Sequence, residues 1–188
     1  MENNDIKRRL IGLTSQQLKE VAEEMGLPKF TASQIAKWLY QAGATSIDEM
    51  TNISKAGRAR LSERYCVGTM PPLDSQRSVD GTIKYLFPTE NGKFVETVYI
   101  PDNERATLCV SSQVGCKMNC LFCQTGKQGF EGNLTAADIL NQICALPERD
   151  KLTNIVFMGQ GEPMDNLFSL FFIPTLLTVM RFGLHWNP

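Results

Sequence analysis

Three cysteines fall within eight residues, Cys116-Lys117-Met118-Asn119-Cys120-Leu121-Phe122-Cys123, at C-x3-C-x2-C spacing between Gly115 and Gly126. Thiolates this close together, on a glycine-flanked loop, can converge on one soft metal centre. The flanks suit such a loop. Ala106 to Ser111 reads as a strand running straight into it. After it, Thr135 caps a helix in which Ile139, Leu140, Ile143 and Cys144 share one face, with Leu134 and Ile139 as a hydrophobic staple. Asn154 to Met158 then reads as a short apolar strand ending in Gly159-Gln160-Gly161-Glu162-Pro163. Strand, loop, helix and strand make a βαβ unit, which implies a parallel strand pair.

The rest of the chain surrounds this unit with two simpler regions. Thr14 and Gln17 form a capping box, Leu18, Val21, Ala22 and Met25 fall on one helical face, and Gly26 with Pro28 stops that helix. Thr31 and Gln34 predict a second capping box, with Phe30 and Ile35 as its staple, Ile35, Trp38 and Leu39 as the buried stripe, and Gly43 as the stop. A third helix is predicted over Lys55 to Tyr65. Pro71-Pro72 then marks a linker, and the period changes to that of strands. Thr82 to Phe87 and Lys93 to Ile100 flank Asn91-Gly92, a strong hairpin signal. The division is therefore a helical module over 1–70, a β-hairpin linker over 71–105 and the start of a core domain over 106–188.

Composition sets a few limits. The 188 residues are 43% apolar and 21% charged, with a net charge of −1, so no bulk field points to a polyanionic partner. Lys55, Arg58, Arg60 and Arg64 could touch phosphates, although a solvated helix face is the commoner meaning of such a run. The opening Met1-Glu2-Asn3-Asn4-Asp5 is unlike a signal peptide, so reduced cysteines in the cytoplasm are expected. The most apolar run, Leu167 to Met180, is 14 uncharged residues broken by Pro174, shorter than the about 20 that a membrane span needs. No membrane association is expected.

The metal follows in part from arithmetic. A structural zinc takes four ligands, usually from two separated C-x2-C pairs. Here the loop has three cysteines, Cys109 lies upstream, and His185 is the only histidine. Three thiolates on a four-iron cluster leave one iron open to a non-protein ligand, which suits chemistry rather than bracing. Spacing favours iron–sulfur over zinc, and zinc over plain thiols. A zinc-stabilised RNA-binding module without catalysis, drawing its fourth ligand from Cys109, is the alternative from another class.

Cys116-x3-Cys120-x2-Cys123, with Phe122 before the last cysteine, resembles the cluster loop of radical S-adenosylmethionine (SAM) enzymes. Gly159-x-Gly161-Glu162-Pro163 resembles the same superfamily's second element, at the end of the next strand. The flanks, Val95-Glu96-Thr97-Val98-Tyr99-Ile100-Pro101, Arg105 to Cys116 and Gln128-Gly129-Phe130, are similar to the RlmN/Cfr family of radical-SAM RNA adenine methyltransferases, over roughly residues 5 to 166. That resemblance implies an α/β fold: a radical-SAM partial (β/α) barrel preceded by a small all-α module and a β-hairpin. It implies one [4Fe-4S] cluster on Cys116, Cys120 and Cys123, whose open iron chelates SAM, with Gly161 and Glu162 contacting the SAM.

In the family, one SAM methylates a cysteine near the C-terminus and the radical from a second SAM activates that methyl group for addition to adenine. Matched residue by residue, Glu96 stands at the family's proton acceptor and Cys109 at the cysteine that releases product by forming a disulfide. The implied substrates are ribosomal RNA and transfer RNA, methylated at adenine C2. The Cfr-type reaction at C8 is the alternative. An electron donor such as flavodoxin and a monomeric state are also implied, and Cys66 and Cys144 are expected to be structural.

The chain departs from the family's pattern in three places. Gln160 replaces the methionine usual between the two glycines. The stretch after Asn166 lacks the family's amphipathic pattern, although resemblance returns at Phe182-Gly183-Leu184-His185-Trp186-Asn187-Pro188. The sequence also ends before most of the barrel and before the methyl-carrying cysteine, so the 188-residue chain by itself is expected not to methylate RNA.

Overall fold

The computed structural model describes residues 7–169. The apolar run from residue 170 onward and the returning motif at 182–188 lie outside the described residues. The chain divides into two compact units, one ending at Thr69 and the other beginning at Met70.

The first unit contains strand β1 (Arg8–Arg9), helices α1 (Ser15–Glu24), α2 (Thr31–Lys37) and α3 (Lys55–Arg64), and strand β2 (Tyr65–Cys66). Helix α1 begins as predicted. The Thr14 hydroxyl accepts from the Gln17 N–H (3.3 Å), and the Gln17 side chain accepts from the Thr14 N–H (2.8 Å). The expected second capping box is not formed. Thr31 is the first residue of α2 and is buried; Phe30, in helical conformation, caps it without a side-chain bond. Phe30 is 64% exposed, so it does not act as a staple either. The Gln34 amide is turned instead to the Asn52 carbonyl (3.3 Å).

A five-residue π-helical turn, Trp38–Ala42, follows α2, and Gly43 ends it at φ 69°. Helix α3 stops at Arg64, one residue earlier than predicted. Tyr65 is already extended, and it pairs in parallel with Arg8. The module is therefore not purely helical. Its core includes Leu10, Leu18, Ile35, Tyr40, Met50, Leu61 and Tyr65, all under 2% exposed.

The second unit is built on a five-stranded sheet, with β3 (Asp74–Arg77), β4 (Ile83–Pro88), β5 (Phe94–Asp102), β6 (Arg105–Cys109) and β9 (Asn154–Val156) in that spatial order. A second, two-stranded sheet joins β7 (Gln113–Gly115) to β8 (Phe130–Asn133). Helices α4 (Gln124–Lys127) and α5 (Ala136–Cys144) lie between. Strands β3 to β6 are antiparallel neighbours, whereas β6 and β9 are parallel and joined by the α5 crossover. The hairpin residues, expected as a connecting segment, are thus strands of the same sheet as β6.

Alternation of burial along β4, β5 and β6 gives the sheet a dry face, which carries Ile83, Tyr85, Phe87, Val95, Thr97, Tyr99, Ala106 and Leu108. Helix α5 is capped by Thr135, whose hydroxyl accepts from the Asp138 N–H (3.1 Å), and it buries Ile139, Leu140 and Ile143 completely.

The same helix also buries three polar residues, and each binds a distant part of the chain. Asp138 accepts from the Glu90 N–H (2.9 Å). Asn141 brackets Met70, accepting from its N–H (2.7 Å) and donating to its carbonyl (2.9 Å). The Gln142 carbonyl oxygen accepts from the Thr97 hydroxyl (2.7 Å) and the Ser111 N–H (2.8 Å), while its amide donates to the Ser111 carbonyl (3.0 Å). Buried polar groups need such partners, and here they fix α5 to the sheet next to the cysteine loop.

Candidate metal and cofactor site

The cysteine loop is the connection between β7 and β8. The Cys116 N–H donates to the Gly129 carbonyl (2.9 Å), and the strand pairing shifts register between Val114 and Gly115. Gly115, at φ +72°, can only be glycine: a Cβ there would come within 1.9 Å of the Gly129 oxygen. Inside the loop, Asn119 adopts a left-handed conformation (φ 48°) and the Cys123 N–H closes a turn onto the Cys120 carbonyl (3.0 Å).

Cys116 is buried, Cys120 exposed and Cys123 intermediate. Hydrogen bonds from the Gly126 N–H and then the Thr125 N–H hold the Cys123 thiol below its usual pKa, which favours the thiolate that a soft metal requires. The donor set therefore suits an iron–sulfur cluster. Among the described residues, however, no group of three or more His, Cys, Asp or Glu side chains stands close enough together to hold a metal ion. The loop brings the three cysteines into one neighbourhood without drawing their sulfurs together. Thiolates repel one another, and a bound cation is what would gather them.

The Gly159–Glu162 bend lies against the segment that leads from β6 into the loop. The Gly159 N–H donates to the Val110 carbonyl (3.1 Å), the Gln160 N–H to the Ser111 hydroxyl (2.8 Å), and the Ser112 N–H to the Gln160 carbonyl (2.8 Å). A Cβ on Gly159 would meet the Ser111 Oγ at 2.6 Å, and one on Gly161 (φ +98°) would meet the Gln113 Cβ at 2.5 Å. Both glycines are thus required by packing against residues 111–113, before any ligand is considered. Position 160 contributes its backbone to this packing, so glutamine is accommodated there as methionine would be. Glu162 caps the short turn Pro163–Asn166, accepting from the Met164 N–H (3.0 Å). Its own N–H donates to the Gln113 side-chain oxygen (2.9 Å).

Glu96 and Cys109 lie on the sheet face opposite α5. Cys109 pairs with Val98 across β5 and β6, and Glu96, two residues from Val98, shares its side. Thr97, on the other side, reaches Gln142. The Glu96 carboxylate accepts from Lys84 Nζ at 2.9 Å, and both side chains are nearly half exposed. Burial pushes the Cys109 thiol up, so it rests as the neutral thiol. It also pushes the Cys144 thiol up to about 11, in keeping with a structural role. All six cysteines are free, so the disulfide expected for Cys109 is not formed within this chain.

Three of the four basic residues of the α3 run bind within the module. Arg58 donates to the Asp48 carbonyl (2.6 Å), Arg60 to the Gly26 carbonyl (3.4 Å) and Arg64 to Glu24 (3.0 Å). Trp38 is half-buried, with its indole N–H on the Asn52 side chain (2.6 Å). A groove of about 250 Å³ between α1 and α2, overlooked in the sequence, has a mainly apolar floor that includes Ala32 and Ala36 and is bordered by Lys19, Lys29 and Lys37.

Residues 110–187 match the family described as "Radical SAM superfamily", and residues 9–67 match "Ribosomal RNA large subunit methyltransferase N-terminal domain". A solved structure, a radical SAM methyltransferase from Sphaerobacter thermophilus, superposes with a TM-score of 0.82 at 39% identity, covering 90% of this chain and 52% of that one. The fold, with its cysteine loop beyond β6 and its glycine bend beyond the neighbouring parallel strand β9, is that of a radical SAM protein.

The sequence relatives narrow the class. Proteins described as "Probable dual-specificity RNA methyltransferase RlmN" from Parabacteroides distasonis and Bacteroides fragilis are 59% and 57% identical to it, each over 97% of this chain and 53% of their own length. The chain belongs to the RlmN family of radical SAM proteins, and it spans about half the length of the curated relatives it matches. No helix among the described residues is long and apolar enough to cross a membrane.

Proposed function

We propose that this chain supplies the RNA-facing module and the cofactor loop of a dual-specificity methyltransferase acting on adenine C2 of 23S ribosomal RNA and of transfer RNA. The observation that carries the reading is the direct packing of the Gly159–Glu162 bend onto residues 110–113, immediately before Cys116. Two loops that would hold different parts of one cofactor thereby leave the same end of two neighbouring parallel strands, β6 and β9.

In this reading Cys116, Cys120 and Cys123 hold one [4Fe-4S] cluster, and Glu162, with the backbone at Gly161, receives the amino group of SAM. When bound, the cluster and SAM supply the one-electron chemistry needed to functionalise an adenine ring carbon that is not nucleophilic. An electron donor such as flavodoxin would provide the electron. Glu96 accepts the ring proton, and its ion pair with Lys84 orients the carboxylate for that step. Cys109, on the same sheet face, forms the disulfide that releases product, with a methyl-carrying cysteine from outside this sequence. Lys19, Lys29 and Lys37, which border the groove between α1 and α2, meet RNA phosphates in this reading.

Anaerobic reconstitution with iron and sulfide tests the cofactor reading. The expected result is a brown protein with four irons per chain, whose colour is lost in Cys120→Ala. A colourless protein holding one zinc would favour a non-catalytic RNA-binding module.

A further inference from the structure

A polar chain connects the cysteine loop to the glycine bend. Lys117, the residue after Cys116, places Nζ 2.8 Å from Asp165 Oδ2. The same oxygen accepts from Gln113 Nε2 at 2.8 Å. Gln113 is fully buried, and its other groups are also engaged: Nε2 donates to Asn133 Oδ1 (2.8 Å) and Oε1 accepts from the Glu162 N–H (2.9 Å). Lys117 also sits 5.3 Å from the centre of the Phe130 ring, on the far side of the loop. Strand β7 and the loop that directly follows it therefore meet the turn after Glu162, 52 residues from Gln113, on one carboxylate.

We propose that Lys117, Asp165 and Gln113 are positioning residues, forming a clasp that sets the spacing between the cysteine loop and the Glu162 bend for a SAM molecule held by both. The inference rests on the cofactor reading above. The Lys117 end of the pair is half exposed, and Asp165 keeps its bond to Gln113 without it, so the pair itself contributes little to folding. Its effect is on geometry, because a ligand gripped from two loops is sensitive to small changes in their separation. Gln113 is the fixed end of the clasp, with every hydrogen-bonding group of its amide satisfied. Lys117 is the end that reaches the cluster loop.

The test uses the reconstituted 188-residue chain and the variants Lys117→Met, Asp165→Asn and Lys117→Arg. Iron and sulfide content, the melting temperature and the electron paramagnetic resonance signal of the reduced protein are measured while SAM is titrated. Lys117→Met and Asp165→Asn are expected to keep the cluster and melt close to the parent. Their half-saturating SAM concentration is expected to rise about five-fold or more, the lower end of coupling between two sites, and Lys117→Arg is expected to restore most of the response.

Variants that titrate like the parent would overturn the clasp. So would variants that lose the cluster outright, because that would make the ion pair a part of loop folding. If the parent itself takes up no cluster or shows no response to SAM, the cofactor reading fails, and the clasp fails with it.

Discussion

In the module ending at Thr69, the groups that start helices are satisfied by near neighbours: Thr14 by Gln17, Ser46 by Glu49 and Ser54 by Gly57, all three residues apart. In the unit beginning at Met70, the decisive side chain–backbone bonds span much longer distances. Gln142 reaches Ser111, 31 residues away, and Asn141 reaches Met70, 71 residues away. The module's caps are mostly exposed, so water can replace a missing partner. The amides of α5 are buried, and water cannot. Local bonds decide where helices begin, whereas long-range buried bonds decide what the cofactor loops rest on.

The sharpest way to break this contrast is Gln142→Leu. It would leave the Thr97 hydroxyl, the Ser111 N–H and the Ser111 carbonyl without their partner in a dry site. Each unsatisfied group costs about 1–3 kcal/mol, so a loss of about 3 kcal/mol or more is expected in urea unfolding. Hydrogen exchange resolved by peptide should place that loss in the sheet unit. A wild-type midpoint would show that these bonds are not what holds α5.

The cations of the module give the next test. Replacing Lys19, Lys29 and Lys37 together with alanine should reduce the salt dependence of RNA binding by about three units of slope, about one per lost phosphate contact. Arg58→Ala, which removes a side chain already bound to the Asp48 carbonyl, should leave that slope unchanged. Equal effects from both would erase the distinction between groove lysines and internally bound arginines.

Thr14→Ala removes an exposed cap and should destabilise the module by about 1 kcal/mol, well short of Gln142→Leu. A cost matching that of Gln142→Leu would contradict the idea that exposure separates the two regions.

The smallest expected effect is on acid stability. The Tyr65 hydroxyl, then Arg64, hold the Glu24 carboxyl below its ordinary value of 4.5. A depressed folded-state pKa stabilises the fold above the unfolded value, and that stabilisation is lost as pH falls through the lower one. The module's melting temperature should therefore drop as pH falls below 4.5, and Glu24→Gln should flatten that acid limb. An unchanged limb would exclude Glu24 as its source.

Much of this arrangement was legible in the residues themselves. The C-x3-C-x2-C spacing, the Thr14 and Thr135 caps and the Asn91-Gly92 hairpin depend on neighbours within a few positions, so the sequence reveals them directly. The Thr31 box was misread because the motif does not encode burial: Thr31 is packed inside, and Gln34 turns to Asn52. Strand β7, strand β8 and the polar residues Gln113, Lys117 and Asp165 gave little local signal beyond polar side chains at a strand end. Their partners lie up to 52 residues away.

By itself, then, the sequence determined the candidate ligand types, their spacing and the family. Only the tertiary structure decided that the hairpin and the βαβ strands form one sheet and that both glycines are required by contact with residues 111–113. It alone also decided that the two loops meet on Asp165. The physical reason is range. Caps, turns and metal spacings are satisfied within a few residues, whereas the position of one loop against another depends on buried groups whose partners only folding brings together.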